Sequence, residues 1–170
     1  MFLNILNMIL DISEYSKFRD ENLKGKKVVV TSGFFDPLHP GHVSLFEESK
    51  KLGDILVVLL NGDMQAMAKK GKAFMPAKDR AYVINAFKCV DHVVIYDAEG
   101  RTDSNEAIAI MKPEIFAKGG DRDMKQNVPE VDTVESYGGK VIYNVGNPKI
   151  WSSSNYLQEW VDFVNPNEHK

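Results

Sequence analysis

Val28-Val29-Val30-Thr31-Ser32-Gly33-Phe34-Phe35-Asp36-Pro37-Leu38-His39-Pro40-Gly41-His42 is the stretch from which the chain is best read. Its apolar opening has the composition of a buried strand, and Leu45, Phe46, Ser49 and Leu52 downstream share one face of a helix. A strand, a glycine-containing turn and a helix start therefore meet here. Such a turn aims backbone N–H groups and the positive end of a helix at one point, which suits a phosphate. Pro40 fits the first helical turn, where a missing N–H costs nothing. Gly41 removes a Cβ where a ligand can approach closely. His39 and His42 lie three residues apart, so both imidazoles project from the same turn. The stretch reads as a phosphate site with two histidines over it.

A length of 170 residues fits one domain with a real core, and 44% hydrophobic with 26% charged residues is ordinary for a globular chain. The net charge of -3 leaves no footprint for nucleic acid. Cys89, the single cysteine, excludes an internal disulfide and points to a reducing, cytoplasmic setting. The segment Met1 to Ile12 is too short and too polar to span a membrane and lacks a basic region and cleavage site of a signal peptide. Phe2, Ile5, Leu6, Ile9 and Ile12 follow helical spacing, so residues 1–25 are expected to form a helical extension, packed on the domain or serving as a dimer contact, ahead of a single domain over 26–170.

Outward from the opening stretch, apolar runs predict strands at 28–31, 54–60, 90–96, 115–117 and 140–145. Helical patterns fall between them at about 13–22, 77–89, 102–111 and 129–137. A last one, Ser152 to about Val164, is expected to turn Tyr156, Leu157, Trp160, Val161 and Val164 inward. Strands alternating with helices imply right-handed crossovers and a parallel sheet covered on both faces. The predicted fold class is α/β: a Rossmann-like, doubly wound, five-stranded parallel sheet with helices on both faces. Ligands bind such sheets at the carboxyl ends of the strands. Gly33, Asn61-Gly62-Asp63, Lys118 to Arg122 and Gly146 to Ser154 all follow strands and should gather on one rim.

Gly-Phe-Phe-Asp followed by His-Pro-Gly-His resembles the HxGH signature of the nucleotidyltransferase superfamily, and the resemblance runs over residues 13 to 164. Arg80-Ala81-Tyr82-Val83-Ile84 resembles the second signature, Arg-x-x-x-Ile. Lys118-Gly119-Gly120-Asp121 and Gly138-Gly139-Lys140-Val141 look most like the adenylyltransferase domain of ADP-heptose synthases. The HxGH and Arg-x-x-x-Ile parts fit glycerol-phosphate cytidylyltransferases equally well. Asn147-Pro148-Lys149-Ile150 stands where the latter carry Arg-Thr-Glu-Gly, and Trp151 replaces a small or aliphatic residue.

The resemblance implies catalytic roles for His39, His42, Arg80 and a lysine of the Lys69-Lys70-Gly71-Lys72 loop, with Lys72 the first choice. It implies nucleotide contacts from Gly33, Phe34, Phe35, Gly41, Lys118, Gly119, Gly120, Asp121, Trp151, Ser152, Ser153 and Ser154. Asp36, Asn61 and Asp63 are expected to meet the acceptor. No metal ligands are assigned, since Mg²⁺ normally rides on the nucleotide phosphates. A zinc site at His39 and His42 would need Cys89, His92 or His169, which have no matching spacing. The implied substrates are CTP or ATP and a sugar or polyol phosphate, joined with release of pyrophosphate by a homodimer. Alternatives are an adenylyltransferase acting on pantetheine phosphate or nicotinamide mononucleotide, and a nucleotide-binding sensor without turnover.

Overall fold

The computed structural model describes residues 9–120, 128–148 and 150–165. In chain order the elements are β1 (Ile9–Asp11), α1 (Ile12–Asn22), β2 (Val28–Gly33), α2 (Pro40–Lys50), β3 (Ile55–Asn61), α3 (Asp63–Lys70), α4 (Ala77–Asn85), β4 (His92–Tyr96), α5 (Asn105–Met111), β5 (Ile115–Gly119), α6 (Val131–Ser136), β6 (Lys140–Val145) and α7 (Ser153–Val164). The strands pair in the order β1-β4-β3-β2-β5-β6, all parallel.

Each central strand opens on an apolar run because both of its faces are covered, and its polar residues come at the carboxyl end. Val28 and Val30 point to one side, among Tyr15, Ile108, Met111 and Val134 of α1, α5 and α6. Val29 points to the other, among Leu45, Phe46, Ala81 and Ile84 of α2 and α4. The predicted α/β parallel sheet is therefore present. From β2 the chain winds outward through β3 and β4, then returns to place β5 on the other side of β2. The switch in winding opens a crevice between the ends of β2 and β5, at Gly33 and Lys118-Gly119.

The sheet has six strands, not five. Ile9, Leu10 and Asp11 pair with Val93, Val94 and Ile95 along the outer edge of β4. Helical spacing through Ile9 and Ile12 is overridden for two reasons. The open edge of β4 offers backbone partners. Asp11 also caps α1: its Oδ1 accepts from the Ser13 N–H at 2.9 Å, and Glu14 returns a bond to the Asp11 N–H, so the helix begins at Ile12. The described part of residues 1–25 thus shares the sheet and core of the residues after it, with Tyr15 and Leu23 buried. Phe2, Ile5 and Leu6 lie outside the described residues.

Two further expectations change. Lys69 and Lys70 are not in a loop but close α3, which ends on Gly71 at φ +79°. The last helix forms, but Tyr156, Trp160, Val161 and Val164 are 42%, 62%, 41% and 48% exposed rather than inward. Helical periodicity identifies which residues share a face, and among the described residues no strand packs against that face.

Candidate active site

A cavity of about 200 Å³ lies over the β2–β5 crevice, large enough for a ligand, since a water takes only about 30 Å³. Its walls are Thr31, Ser32 and Gly33 from β2, Phe35 from the turn, and His39, Gly41, His42 and Leu45 around the start of α2. Lys118, Gly119, Gly120, Asn147 and Trp151 complete it.

The turn is built around Phe35, which adopts a left-handed backbone at φ +50°. That conformation costs a residue with a Cβ about 1–2 kcal/mol. It drives the Phe35 ring into the core, edge-on to Phe46 and to His42 at 5.0 Å each. A Cβ on Gly33 would lie 3.0 Å from that ring, so Gly33 is needed for packing as well as for access. A Cβ on Gly41 would sit 3.1 Å from the His39 ring and 3.2 Å from the Trp151 indole.

His39 and His42 stack face to face, with centroids 3.6 Å apart and planes at 16°. The His39 backbone N–H donates to Nδ1 of His42 at 3.3 Å. That bond places the proton of a neutral His42 on Nε2 and leaves it a donor. Burial first, then the charges of His39 and Lys70, hold the His42 imidazole down at about 3. At neutral pH it is therefore an uncharged, pre-aimed hydrogen-bond donor. The unfolded chain takes up a proton near pH 6.5 that the folded chain refuses until about pH 3. Stability is thus full above pH 6.5 and falls on acidification, by up to about 1.4 kcal/mol per pH unit. Burial also lowers His92, in the same direction. Urea midpoints at pH 7 and pH 5 are expected to differ less in His42→Gln than in the parent chain; equal differences would remove His42 as the cause.

The residues named from the sequence divide into groups. His39, His42, Gly33, Phe35, Gly41, Lys118, Gly119, Gly120 and Trp151 line the cavity together. Arg80 does not. It is 1% exposed and donates to the carbonyls of Met75, Phe34 and Asn61 at 2.7, 2.7 and 2.9 Å and to Asp63 Oδ1 at 2.8 Å. Asp36 is likewise buried, and its carboxylate accepts the Phe74 and Met75 N–H groups. Asp63 accepts the Ala77 N–H, and Asn61 donates to Gln65. None of Asp36, Asn61 and Asp63 lines the cavity; with Arg80 they strap down the loop between α3 and α4.

Of the three lysines, Lys70 rather than Lys72 is drawn towards the histidines. Its Nζ donates to the Asp36 carbonyl at 3.2 Å and sits 5.3 Å from the Phe34 ring. Loss of hydration lowers its pKa, as do Lys69 and Arg80, against the pull of Asp36. Phe34 forms that platform instead of a cavity wall. Ser152 caps α7, and Ser153 Oγ donates to the Pro37 carbonyl at 2.7 Å, pinning α7 to the histidine turn. Ser154 is exposed. Asp121 lies outside the described residues. Among the cavity walls, Thr31, Ser32 and Leu45 carry no site expectation from the sequence, and Asn147 has one only as part of the rim 146–154. The hydroxyls of Thr31 and Ser32 are hidden in a strand pattern, whereas Asn147 directly follows a strand end.

A family model described as cytidylyltransferase-like matches residues 30–158, and the chain belongs to that family. The bifunctional protein HldE of Pelobacter propionicus is 41% identical over 123 residues, which are 71% of this chain and 24% of that protein. The HldE of Gluconobacter oxydans is 45% identical over 120 residues, 69% and 24% of the two chains. The chain thus matches about a quarter of the length of these curated relatives. Among solved structures, the lipopolysaccharide core biosynthesis protein from Thermoplasma volcanium superposes with a TM-score of 0.61 at 29% identity, covering 72% of this chain and 99% of its own. A pantoate-beta-alanine ligase from Francisella tularensis superposes with a TM-score of 0.63, covering 95% of this chain and 77% of its own; at 15% identity it speaks for the fold alone. Among the described residues, no helix is long and apolar enough to cross a membrane.

Proposed function

We propose that the chain is a nucleotidyltransferase that moves a nucleoside monophosphate from CTP or ATP onto a sugar or polyol phosphate. The observation that carries this reading is the stacked His39–His42 pair at the start of α2, facing a cavity at the sheet's switch point. An oxygen of the acceptor phosphate attacks the α-phosphorus. The bond from that phosphorus to the bridging oxygen breaks, and pyrophosphate leaves. No covalent intermediate with the protein is needed. Positioning and charge stabilisation supply the catalysis, with the His42 Nε2–H donating to oxygens on which charge builds. Lys70 and Lys118 add positive charge on opposite flanks of the turn.

Mg²⁺ enters this reading as part of the substrate, bound to the triphosphate. Among the described residues no three His, Cys, Asp or Glu side chains converge, and the carboxylates of Asp36 and Asp63 hold backbone N–H groups. The family and the Thermoplasma protein's description as a lipopolysaccharide core biosynthesis protein favour a sugar phosphate as acceptor.

The test is pyrophosphate release with Mg²⁺ and each nucleoside triphosphate against a panel of sugar and polyol phosphates. Release is expected with CTP or ATP and one acceptor class, and removal of the metal by EDTA should stop it. Nucleotide binding without release across the panel would turn the reading to a non-catalytic sensor.

A further inference from the structure

Lys118 brings a side chain that is only 13% exposed to the cavity, and it faces Glu130, whose side chain is 4% exposed. Charges this far from water are costly unless they are paired. The Lys118 Nζ donates to Ser32 Oγ at 3.0 Å, lies 4.4 Å from the centre of the Phe116 ring, and stands 3.5 Å from Glu130 Oε2. The two carboxylate oxygens of Glu130 are used differently. Oε1 accepts the Ser104 N–H at 3.1 Å, whereas Oε2 accepts no hydrogen bond among the described residues.

The carboxylate is held from behind by a chain of buried polar groups. Asn61 Nδ2 reaches Ser104 Oγ at 3.4 Å, and the Asn61 carbonyl accepts from Arg80. One oxygen therefore fixes Glu130 while the other is directed at Lys118. The 3.5 Å separation is longer than the roughly 2.7–2.9 Å of a closed charge-assisted hydrogen bond. Glu130 thus orients the ammonium through its field without capturing it.

We propose that Glu130 is a positioning residue of the nucleotide site, holding the Lys118 ammonium at the cavity wall where the triphosphate substrate binds. The proposal rests on the nucleotidyltransferase reading. Glu130 does not line the cavity and acts only through Lys118. The competing account is that Glu130 serves only to anchor the Ser104 N–H.

Glu130→Gln separates the two, because the amide oxygen still accepts from Ser104 while the charge is lost. Mg·ATP and Mg·CTP affinities by calorimetry, KM and kcat for pyrophosphate release, and melting temperatures are measured together. Glu130→Gln is expected to melt near the parent and to weaken nucleotide binding about tenfold, at the low end of what loss of an orienting partner costs at metal sites. Adding Glu130→Gln to Lys118→Met should cost nothing more, since Glu130 acts only through Lys118.

Parent-like nucleotide affinity in Glu130→Gln overturns the proposal and leaves the nucleotidyltransferase reading standing. So does a further loss when Glu130→Gln is added to Lys118→Met, because Glu130 would then act by a route other than Lys118. A Glu130→Gln chain that does not fold assigns Glu130 to the fold alone. Absence of nucleotide binding by the parent chain is a different result, and removes the reading and the proposal with it.

Discussion

His42→Ala is expected to lower kcat by about two to three orders of magnitude, the loss typical of removing one pre-aimed donor to developing charge. The reason lies in the geometry of the turn. Nδ1 of His42 is occupied by the His39 N–H, so Nε2 carries the proton. Stacking on His39 and edge contact with Phe35 hold the ring in place before any ligand arrives. A donor fixed in advance costs no reorganisation during the reaction. Removal leaves Phe35 held by Phe46, so the fold should survive. Circular dichroism and a melting curve check that point, and steady-state pyrophosphate release gives kcat. Parent-like turnover in a folded His42→Ala chain would sink the assignment. Nucleotide KM should move less than kcat if the donor matters mainly in the transition state.

Arg80→Ala is expected to act through the fold instead. The guanidinium is buried, and its removal would take the Arg80 donor from the carbonyls of Met75, Phe34 and Asn61 and leave Asp63 with the Ala77 N–H alone. Leaving buried carbonyls without a donor costs about 1–3 kcal/mol each, while the half-exposed Asp63 carboxylate turns to water. The loss should appear as a lower urea midpoint and as faster proteolysis between residues 71 and 76, the segment that Asp36, Asp63 and Arg80 strap down. Arg80→Lys should recover only part of it, because an ammonium cannot span the partners that the planar fork reaches. The opposite pattern, parent stability with a selectively raised nucleotide KM, would return Arg80 to direct contact with phosphate, as the family resemblance implies.

These two residues mark the line between what the sequence decides and what it leaves open. Local chemistry made the histidine turn legible. A strand run, Gly33, Pro40, Gly41 and two histidines three apart have few other uses, and the cavity forms there. Apolar runs alternating with helical patterns likewise specify a parallel sheet, because only strands covered on both faces read that way. Asp11, Glu14 and an open sheet edge decided β1 against a helical pattern, since pairing depends on whether a neighbour's backbone is unsatisfied. The exposure of Trp160 and Val164 depended on whether another element faces α7, and periodicity is silent on that. Arg80, Asp36 and Asp63 carry the residue types of a phosphate or acceptor site. Whether such groups meet a ligand or the chain's own carbonyls and N–H groups is settled only when distant segments close around them. Glu130 had no local signal at all: it lies twelve positions from Lys118, and only the crossover from β5 through α6 brings the two charges within 3.5 Å. Short-range patterns determined the fold class and the histidine turn, while tertiary structure decided which charged side chains face the cavity and which face one another, because burial forces each charge to find a partner wherever the fold supplies one.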